Sequence, residues 1–283
     1  VTLAEVLAQD SRRLQQDLDL DPREARLEIQ ILLCEALGVA RSWLIGHDRE
    51  ALAEPAAQSY SALLTRRLAG EPIAYIIGRR EFFGLEFKTT PAVLIPRPET
   101  ELLVELALAR IPEDQPCKVL DLGTGSGAIA ISIARSRPLA AVTAVDQSPQ
   151  ALGVARDNAA RLQVPNLCLL HSDWFGALGA QTFDLIVSNP PYVEAGDPHL
   201  QRGDVRFEPL SALASGADGL DDIRRIAAAA PQHLNPGSWL LLEHGYNQGE
   251  GCRDILRQQG FSEVETIRDL AGLERVSVGL RAA

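Results

Sequence analysis

From residue 98 to its end the chain alternates short apolar runs with stretches of helical period, and this alternation limits the fold more than any other feature. Residues 118–123 (KVLDLG), 140–146 (AAVTAVD), 166–171 (NLCLLH) and 183–190 (FDLIVSNP) read as strands, with 127–137 and 149–162 as helices between them. A helix near 219–232, a strand over 238–245, a helix over 248–259 and strands near 262–267 and 274–281 complete the pattern. Apolar strands separated by helices predict an α/β fold whose mostly parallel sheet is covered on both faces. Ligands of such sheets bind beyond the carboxyl ends of the strands, so the residues just after each strand carry the chemistry.

The preceding sequence has a different character. Thr2 and Glu5 form a capping-box pair ahead of Leu3, Val6, Leu7, Leu14 and Leu18 at helical spacing. Asp21-Pro22 suits the start of a second helix that Gly38 can end, and a third is expected from Pro55 to about Leu68. REFFGLEFKTT, with two aromatic-rich runs around Gly84, predicts a hairpin, and Pro98 to Arg110 a helix with Glu99 and Glu101 in its first turn. The expected organisation is a helical domain over 1–75, a hairpin linker over 76–95 and an α/β domain over 96–283.

Charge limits the partners. The net formal charge is -11, divided as -3 over residues 1–90 and -8 over the rest, so neither part hides a basic domain. Nucleic acid is held by Lys and Arg that displace counterions, so this balance disfavours a broad phosphate-binding face. Cys34, Cys117, Cys168 and Cys252 are scattered and show no C-x-x-C pair, which points to apolar positions in a reducing cytoplasm and to no metal. No apolar run reaches the roughly 18 residues of a membrane span, and the amphipathic start is unlike a signal sequence. The chain contains no Met, so its initiator is expected to be absent from this sequence.

Asp121-Leu122-Gly123-Thr124-Gly125-Ser126-Gly127-Ala128 follows the first α/β strand and leads into a helix. Glycines there permit a tight turn and close ligand approach at a helix N-terminus. Alone, the loop suits a dinucleotide, with Asp146 on a ribose hydroxyl, or S-adenosylmethionine in a methyltransferase, where the acid takes the same hydroxyls. The strand ending in Ser188-Asn189-Pro190-Pro191-Tyr192 decides between them. A planar amide or base amine is a poor nucleophile because its lone pair is delocalised. If the Asn189 oxygen and the Pro190 carbonyl accept its two N–H bonds, they align that lone pair with an incoming methyl group and stabilise the growing positive charge. Proline fixes φ and offers no competing N–H, and Tyr192 can stack on the planar group. Ser172-Asp173-Trp174-Phe175 stands where an adenine would rest, with Asp173 as an acceptor and Trp174 or Phe175 on the ring, or else as a helix cap and core. Arg97 suits a helix start, Asp204 to Glu208 a loop that is either functional or simply ion-paired, and His244 a hydrogen-bonded structural role.

Together the helical preamble, LIPRPET, LDLGTGSGAIAIS, DWF, IVSNPPY and DVRFEP, in that order, resemble the release factor glutamine methyltransferase family over nearly the full length. The resemblance implies a class I methyltransferase fold, Rossmann-like with seven strands, behind a helical domain that docks the substrate. It implies S-adenosylmethionine as cofactor, held by Gly123, Thr124, Gly125, Ser126, Gly127, Asp146, Trp174 and Asn189. The implied substrate is the glutamine of the Gly-Gly-Gln motif in class I peptide chain release factors, gripped by Asn189, Pro190, Pro191 and Tyr192. A ribosomal protein glutamine or a nucleic-acid amine would satisfy the same chemistry, and the acidic charge leans toward protein. A dehydrogenase would leave the NPPY strand unexplained, and a non-catalytic binding module would leave the intact motifs without a use.

Overall fold

A computed structural model describes residues 1–282, so position 283 of the expected α/β domain lies outside it. The chain forms two compact units. The first comprises Val1–Gly78 together with Gln201–Phe207, and the second comprises Arg79–Leu200 and the chain from Glu208 onward.

Helices α1 (Leu3–Leu18), α2 (Pro22–Leu37), α3 (Arg41–Gly46), α4 (Glu54–Leu68) and α5 (Ile73–Ile77) build the first unit. Both halves of the Thr2/Glu5 capping box form, Asp21 caps α2, and Gly38 ends it in the left-handed region. Leu3, Leu14, Ile29, Leu32, Leu33 and Leu64 share its apolar core. Helices α3 and α5, of six and five residues, were not anticipated, being too short to show a helical period. Arg67 is 2% exposed; it donates to both oxygens of buried Glu28 (2.7 and 3.1 Å) and, at 2.8 Å, to Asp204 of the returning segment. Arg206 donates to the Ala69 carbonyl at 3.1 Å. The DVRF stretch, read from sequence only as part of a loop, therefore completes the helical unit.

The second unit opens with the hairpin β1 (Arg79–Phe82) and β2 (Leu85–Lys88). Expected as a linker, it is built into this unit instead. Phe82 and Phe87 join the core that holds Leu103 and Val104, and Asn158 bonds both the N–H (2.7 Å) and the carbonyl (3.1 Å) of Lys88. Next come α6 (Glu101–Leu108), β3 (Cys117–Leu122), α7 (Ala128–Ser136), β4 (Ala140–Asp146), α8 (Pro149–Arg161), β5 (Leu167–His171) and β6 (Phe183–Ser188). The chain ends with α9 (Asp221–His233), β7 (Leu234–Glu243), α10 (Gly249–Gln258), β8 (Phe261–Arg268) and β9 (Glu274–Arg281). The sheet order is β5-β4-β3-β6-β7-β9-β8. The first five strands pair in parallel, and β9 runs antiparallel to both β7 and β8.

Successive residues of the central strand face opposite sides, as pleating requires: Val119 packs with α6 and α7, and Leu120 with α9 and α10. Both faces are apolar, which is why these strands appear in the sequence as near-continuous hydrophobic runs. Of the four cysteines, Cys117 and Cys252 are buried, but Cys168 on edge strand β5 is exposed. Among the described residues no helix is long and apolar enough to cross a membrane.

Arg67→Ala would strand Glu28 as an unpaired buried charge and is expected to destabilise the helical unit by about 3–5 kcal/mol. The Asp204 side chain is 41% exposed, so Asp204→Ala should cost no more than about 1 kcal/mol. Urea unfolding of the two variants checks this contrast.

Candidate active site

Three strand ends meet in parallel register: Leu122 of β3 stands opposite Val145 of β4 and Ser188 of β6. The loop after β3 turns through Gly123, Gly125 and Gly127, all at positive φ (+73°, +56° and +83°), a region costly for any residue with a Cβ. The N–H groups of Gly123 and Thr124 both donate to the Val145 carbonyl at 2.9 Å. At Gly127 a Cβ would also lie 2.8 Å from Ile131 Cδ1, whereas at Gly125 it would meet nothing. The loop therefore leaves an open cradle at Gly125 and a close helix contact at Gly127.

Two carboxylates brace this loop. Asp121 is fully buried; Thr124 Oγ1 donates to its Oδ2 at 2.6 Å, its Oδ1 has no partner among the described residues, and burial pushes its carboxyl up to about 7. Asp146 accepts the Gly125 N–H on Oδ2 and the Ser148 N–H on Oδ1, each at 2.8 Å. Burial raises its pKa as well, against those two bonds. Each Asp146 oxygen keeps a lone pair for a further donor.

Gly123, Gly125, Asp146, Trp174, Asn189 and Pro191 line one pocket. Thr124 and Ser126 are buried, and neither they nor Gly127, Pro190 and Tyr192 belong to its wall. Trp174 sits at φ +47°, its ring 3.4 Å from where a Gly123 Cβ would be. Its indole N–H donates to Asp222 (3.2 Å), which Ser215 holds in turn (2.8 Å). Phe175 is turned into the core against His233, so Trp174 is the aromatic available to a ligand. Asp173, read as a possible adenine acceptor, has both oxygens engaged by Arg225 Nη2 at 3.0 and 3.1 Å.

At the end of β6, Ser188 Oγ donates to the Leu122 carbonyl at 2.7 Å, fixing the strand ends together. Asn189 Nδ2 donates to Thr100 Oγ1 at 3.3 Å, and Asn189 Oδ1 is buried without a partner among the described residues. The Tyr192 carbonyl accepts from Gln248 Nε2 at 2.9 Å, and its hydroxyl stands 3.5 Å from Glu243 Oε1. A Cβ at Gly219 would fall 2.2 Å from that carbonyl, so only glycine lets the NPPY loop lie where it does. Glu243 is fully buried at the end of β7, and burial pushes its carboxyl up to about 7 against the opposing pull of Thr100 and Arg275. Arg97 pairs with the buried Glu208, whose Oε2 also accepts the Ile95 N–H at 3.0 Å; this is a structural tie of the loop. His244 is structural too, bonded to the Gly245 carbonyl and to Ser277 Oγ.

Sequence reasoning passed over Thr100, Glu243, Asp222, Gln248 and Gly219. Glu243 alone carried a usable signal, since it ends a strand on the same edge of the sheet as Asp121 and Asp146. Residues 98–203 match the family model described as "Methyltransferase small domain", and residues 5–78 match "PrmC N-terminal domain". The release factor glutamine methyltransferase of Salmonella typhimurium is 50% identical over 259 residues, 92% of this chain and 93% of its own length. That of Bordetella pertussis is 52% identical over 268 residues, 94% of this chain and 98% of its own. A crystal structure of a methyltransferase from Pyrococcus furiosus aligns with a TM-score of 0.55 at 21% identity, over 79% of this chain and 100% of its own, a likeness of fold.

Asp121 and Glu243 hold their protons to about pH 7 when folded, but ordinary carboxyls release them near pH 4. The folded chain binds more protons over that interval, so their contribution to stability is full below about pH 4 and is lost as pH rises through about 7. Chemical unfolding measured across that range should show the decline, and Asp121→Asn or Glu243→Gln should flatten it.

Proposed function

The chain belongs to the release factor glutamine methyltransferase family, and on that premise we propose how it works: Asn189 and Pro190 hold the carboxamide of the target glutamine, and the adjoining pocket holds S-adenosylmethionine. The enzyme methylates the side-chain nitrogen of a release factor glutamine, which we place in the Gly-Gly-Gln motif of class I peptide chain release factors. The observation that carries this reading is the buried, unpartnered Asn189 Oδ1 at the end of β6, on the wall of the pocket. A buried acceptor without a donor costs about 1–3 kcal/mol, and a substrate N–H would relieve that cost.

The pocket suits the cofactor. Asp146 keeps one lone pair on each oxygen for a ribose hydroxyl, Gly125 leaves room for a ligand against the backbone, and the Trp174 face is set for an adenine ring. Bound S-adenosylmethionine supplies a methyl group on a positively charged sulfur. The chain's own part is to present the nucleophile. Asn189 Oδ1 and the Pro190 carbonyl take the two amide N–H bonds, favour localisation of the lone pair and stabilise the charge that grows on nitrogen. Asn189 cannot act as a base, so the proton leaves to solvent after transfer. Tyr192 supports this loop through Gln248 and Glu243, and its ring packs beside the carboxamide once the substrate is seated. The helical unit docks the release factor, and the site of action is the cytoplasm, where release factors meet the ribosome.

Labelled S-adenosylmethionine incubated with a release factor, its Gly-Gly-Gln Gln-to-Ala version, ribosomal protein, DNA and RNA tests the substrate. Label is expected on the first alone; label on nucleic acid, or undiminished label on the alanine version, contradicts the reading. Asn189→Ala should lower kcat roughly 100-fold or more, as loss of a charge-stabilising group does, with cofactor affinity little changed. Asp146→Ala should raise the cofactor Kd by about 10-fold or more, the worth of a charge-assisted hydrogen bond. Equilibrium binding and steady-state kinetics separate the two effects.

A further inference from the structure

Trp174 is the aromatic side chain on the wall of the cofactor pocket, and it is held by groups that the proposed chemistry leaves unused. Its backbone sits at φ +47°, a region that a residue with a Cβ occupies only where its surroundings hold it. Ser172 Oγ donates to the Trp174 carbonyl at 2.8 Å and accepts the Ala177 N–H at 2.9 Å, which fixes that turn. The indole N–H donates to Asp222 Oδ1 at 3.2 Å, in the first turn of α9. One turn further along α9, Arg225 Nη2 grips Asp173 and Arg225 Nη1 lies 3.4 Å from Asp222 Oδ1. We infer that Asp222 is a positioning residue for the cofactor: braced by Ser215, it selects one orientation of the Trp174 ring and so presets the face on which adenine stacks. This inference rests on the reading of Trp174 as the adenine platform.

The backbone turn fixes where the Trp174 side chain starts, not how its ring is rotated. The χ2 torsion of a tryptophan is broad and roughly two-fold, so a half-turn exchanges the two edges of the indole. Those edges differ chemically, because only one carries an N–H, and it can only donate. A single well-placed acceptor therefore picks one rotation. Here Nε1 is turned to Asp222, while Cζ3 and Cη2 of the six-membered ring lie 3.4 and 3.6 Å from where a Gly123 Cβ would be. The ring thus extends from the start of α9 to the glycine loop, and Asp222 and Gly123 both line the pocket beside it.

Asp222 is itself held firmly enough for this task. Ser215 Oγ donates to its Oδ2 and accepts its backbone N–H, each at 2.8 Å, so the carboxylate cannot rotate without breaking a reciprocal pair. The Ser215 N–H in turn donates at 2.9 Å to the carbonyl of Val193, the residue that follows the NPPY motif. The Asp222 side chain is only 18% exposed, which limits the water that competes for its oxygens. A ring already fixed in the empty pocket loses little further freedom when adenine arrives, and a preordered site binds more tightly for that reason.

Equilibrium binding of S-adenosylhomocysteine, steady-state kinetics and NMR of the indole groups test the assignment. Asp222→Ala should raise the Kd for S-adenosylhomocysteine roughly 5- to 10-fold, the scale of one hydrogen bond, with kcat at saturating S-adenosylmethionine changed less than about 2-fold. Asp222→Asn keeps an oxygen for the indole and can turn its NH2 to Ser215 Oγ, so it should recover most of that loss. Trp174→Phe keeps an aromatic face but no N–H, so adding Asp222→Ala to it should raise Kd by less than about 2-fold more. A merely structural Asp222 would cost as much in that background as in the wild type. The chain has three tryptophans, so the Trp174 indole resonance can be assigned by its loss in Trp174→Phe. In the wild type without ligand that N–H should already be protected from exchange with solvent, and the protection should be lost in Asp222→Ala and kept in Asp222→Asn. An equal Kd penalty for Asp222→Ala in the two backgrounds overturns the inference. So does an unprotected Trp174 indole in the wild type, a result that does not depend on whether any variant folds. Should Trp174→Ala bind S-adenosylhomocysteine as the wild type does, the underlying reading of Trp174 fails; a weakly binding Trp174→Ala beside an Asp222→Ala of wild-type Kd refutes the positioning role alone.

Discussion

The site depends on the parallel pairing of β3 with β4 on one side and β6 on the other. Parallel strands end on the same edge of the sheet, and helical crossovers return the chain to the opposite edge each time. Asp121 and the glycine loop, Asp146, Asn189 and Glu243 come from four strands spread over more than a hundred residues, yet all belong to that one edge. Backbone and side-chain bonds then lock neighbouring ends together: the Val145 carbonyl takes two N–H groups of the glycine loop, Asp146 takes a third, and Ser188 holds the Leu122 carbonyl. A register slip of one residue would turn these side chains to the other face and dissolve the pocket.

The same edge concentrates the polar groups that a folding argument alone would avoid. Asp121 Oδ1, Asn189 Oδ1 and Glu243 Oε2 are three of the four buried side-chain atoms without a partner among the described residues. Native chains rarely leave such groups unsatisfied, because each costs the desolvation of an acceptor. Their clustering at strand ends, beside a pocket floored by glycines, is what a binding site held ready for donors requires. Away from this edge Arg67 is compensated by Glu28 and Glu208 by Arg97.

Much of this was legible in the sequence because the determining signals are local. Strands buried on both faces are apolar throughout, glycines at positive φ cannot be disguised, and the capping box and the Asp21-Pro22 start announce their helices within a few residues. Asn189 and Asp146 could be singled out because each immediately follows or ends a readable strand. What escaped depends on residues far apart in the chain. The hairpin appeared to be a linker until Asn158, seventy residues on, was seen to bond Lys88. The pairing of Asp173 with Arg225 was hidden because Arg225 lies fifty-two residues on, beyond β6 and in α9. Thr100 passed as a helix-start residue and Glu243 as an ordinary strand end, since Thr100 reaches Asn189 from far away in the chain and Glu243 stands next to Asn189 only once β6 and β7 pair.

The central claim is that Asn189 meets the target carboxamide with its oxygen. A crystal structure of the enzyme with S-adenosylhomocysteine and a Gly-Gly-Gln peptide tests it most directly. The account predicts the glutamine side-chain nitrogen within about 3.2 Å of Asn189 Oδ1, with the Pro190 carbonyl as its second acceptor. A glutamine seated elsewhere in the pocket, or bound with its oxygen toward Asn189 Nδ2, would contradict it.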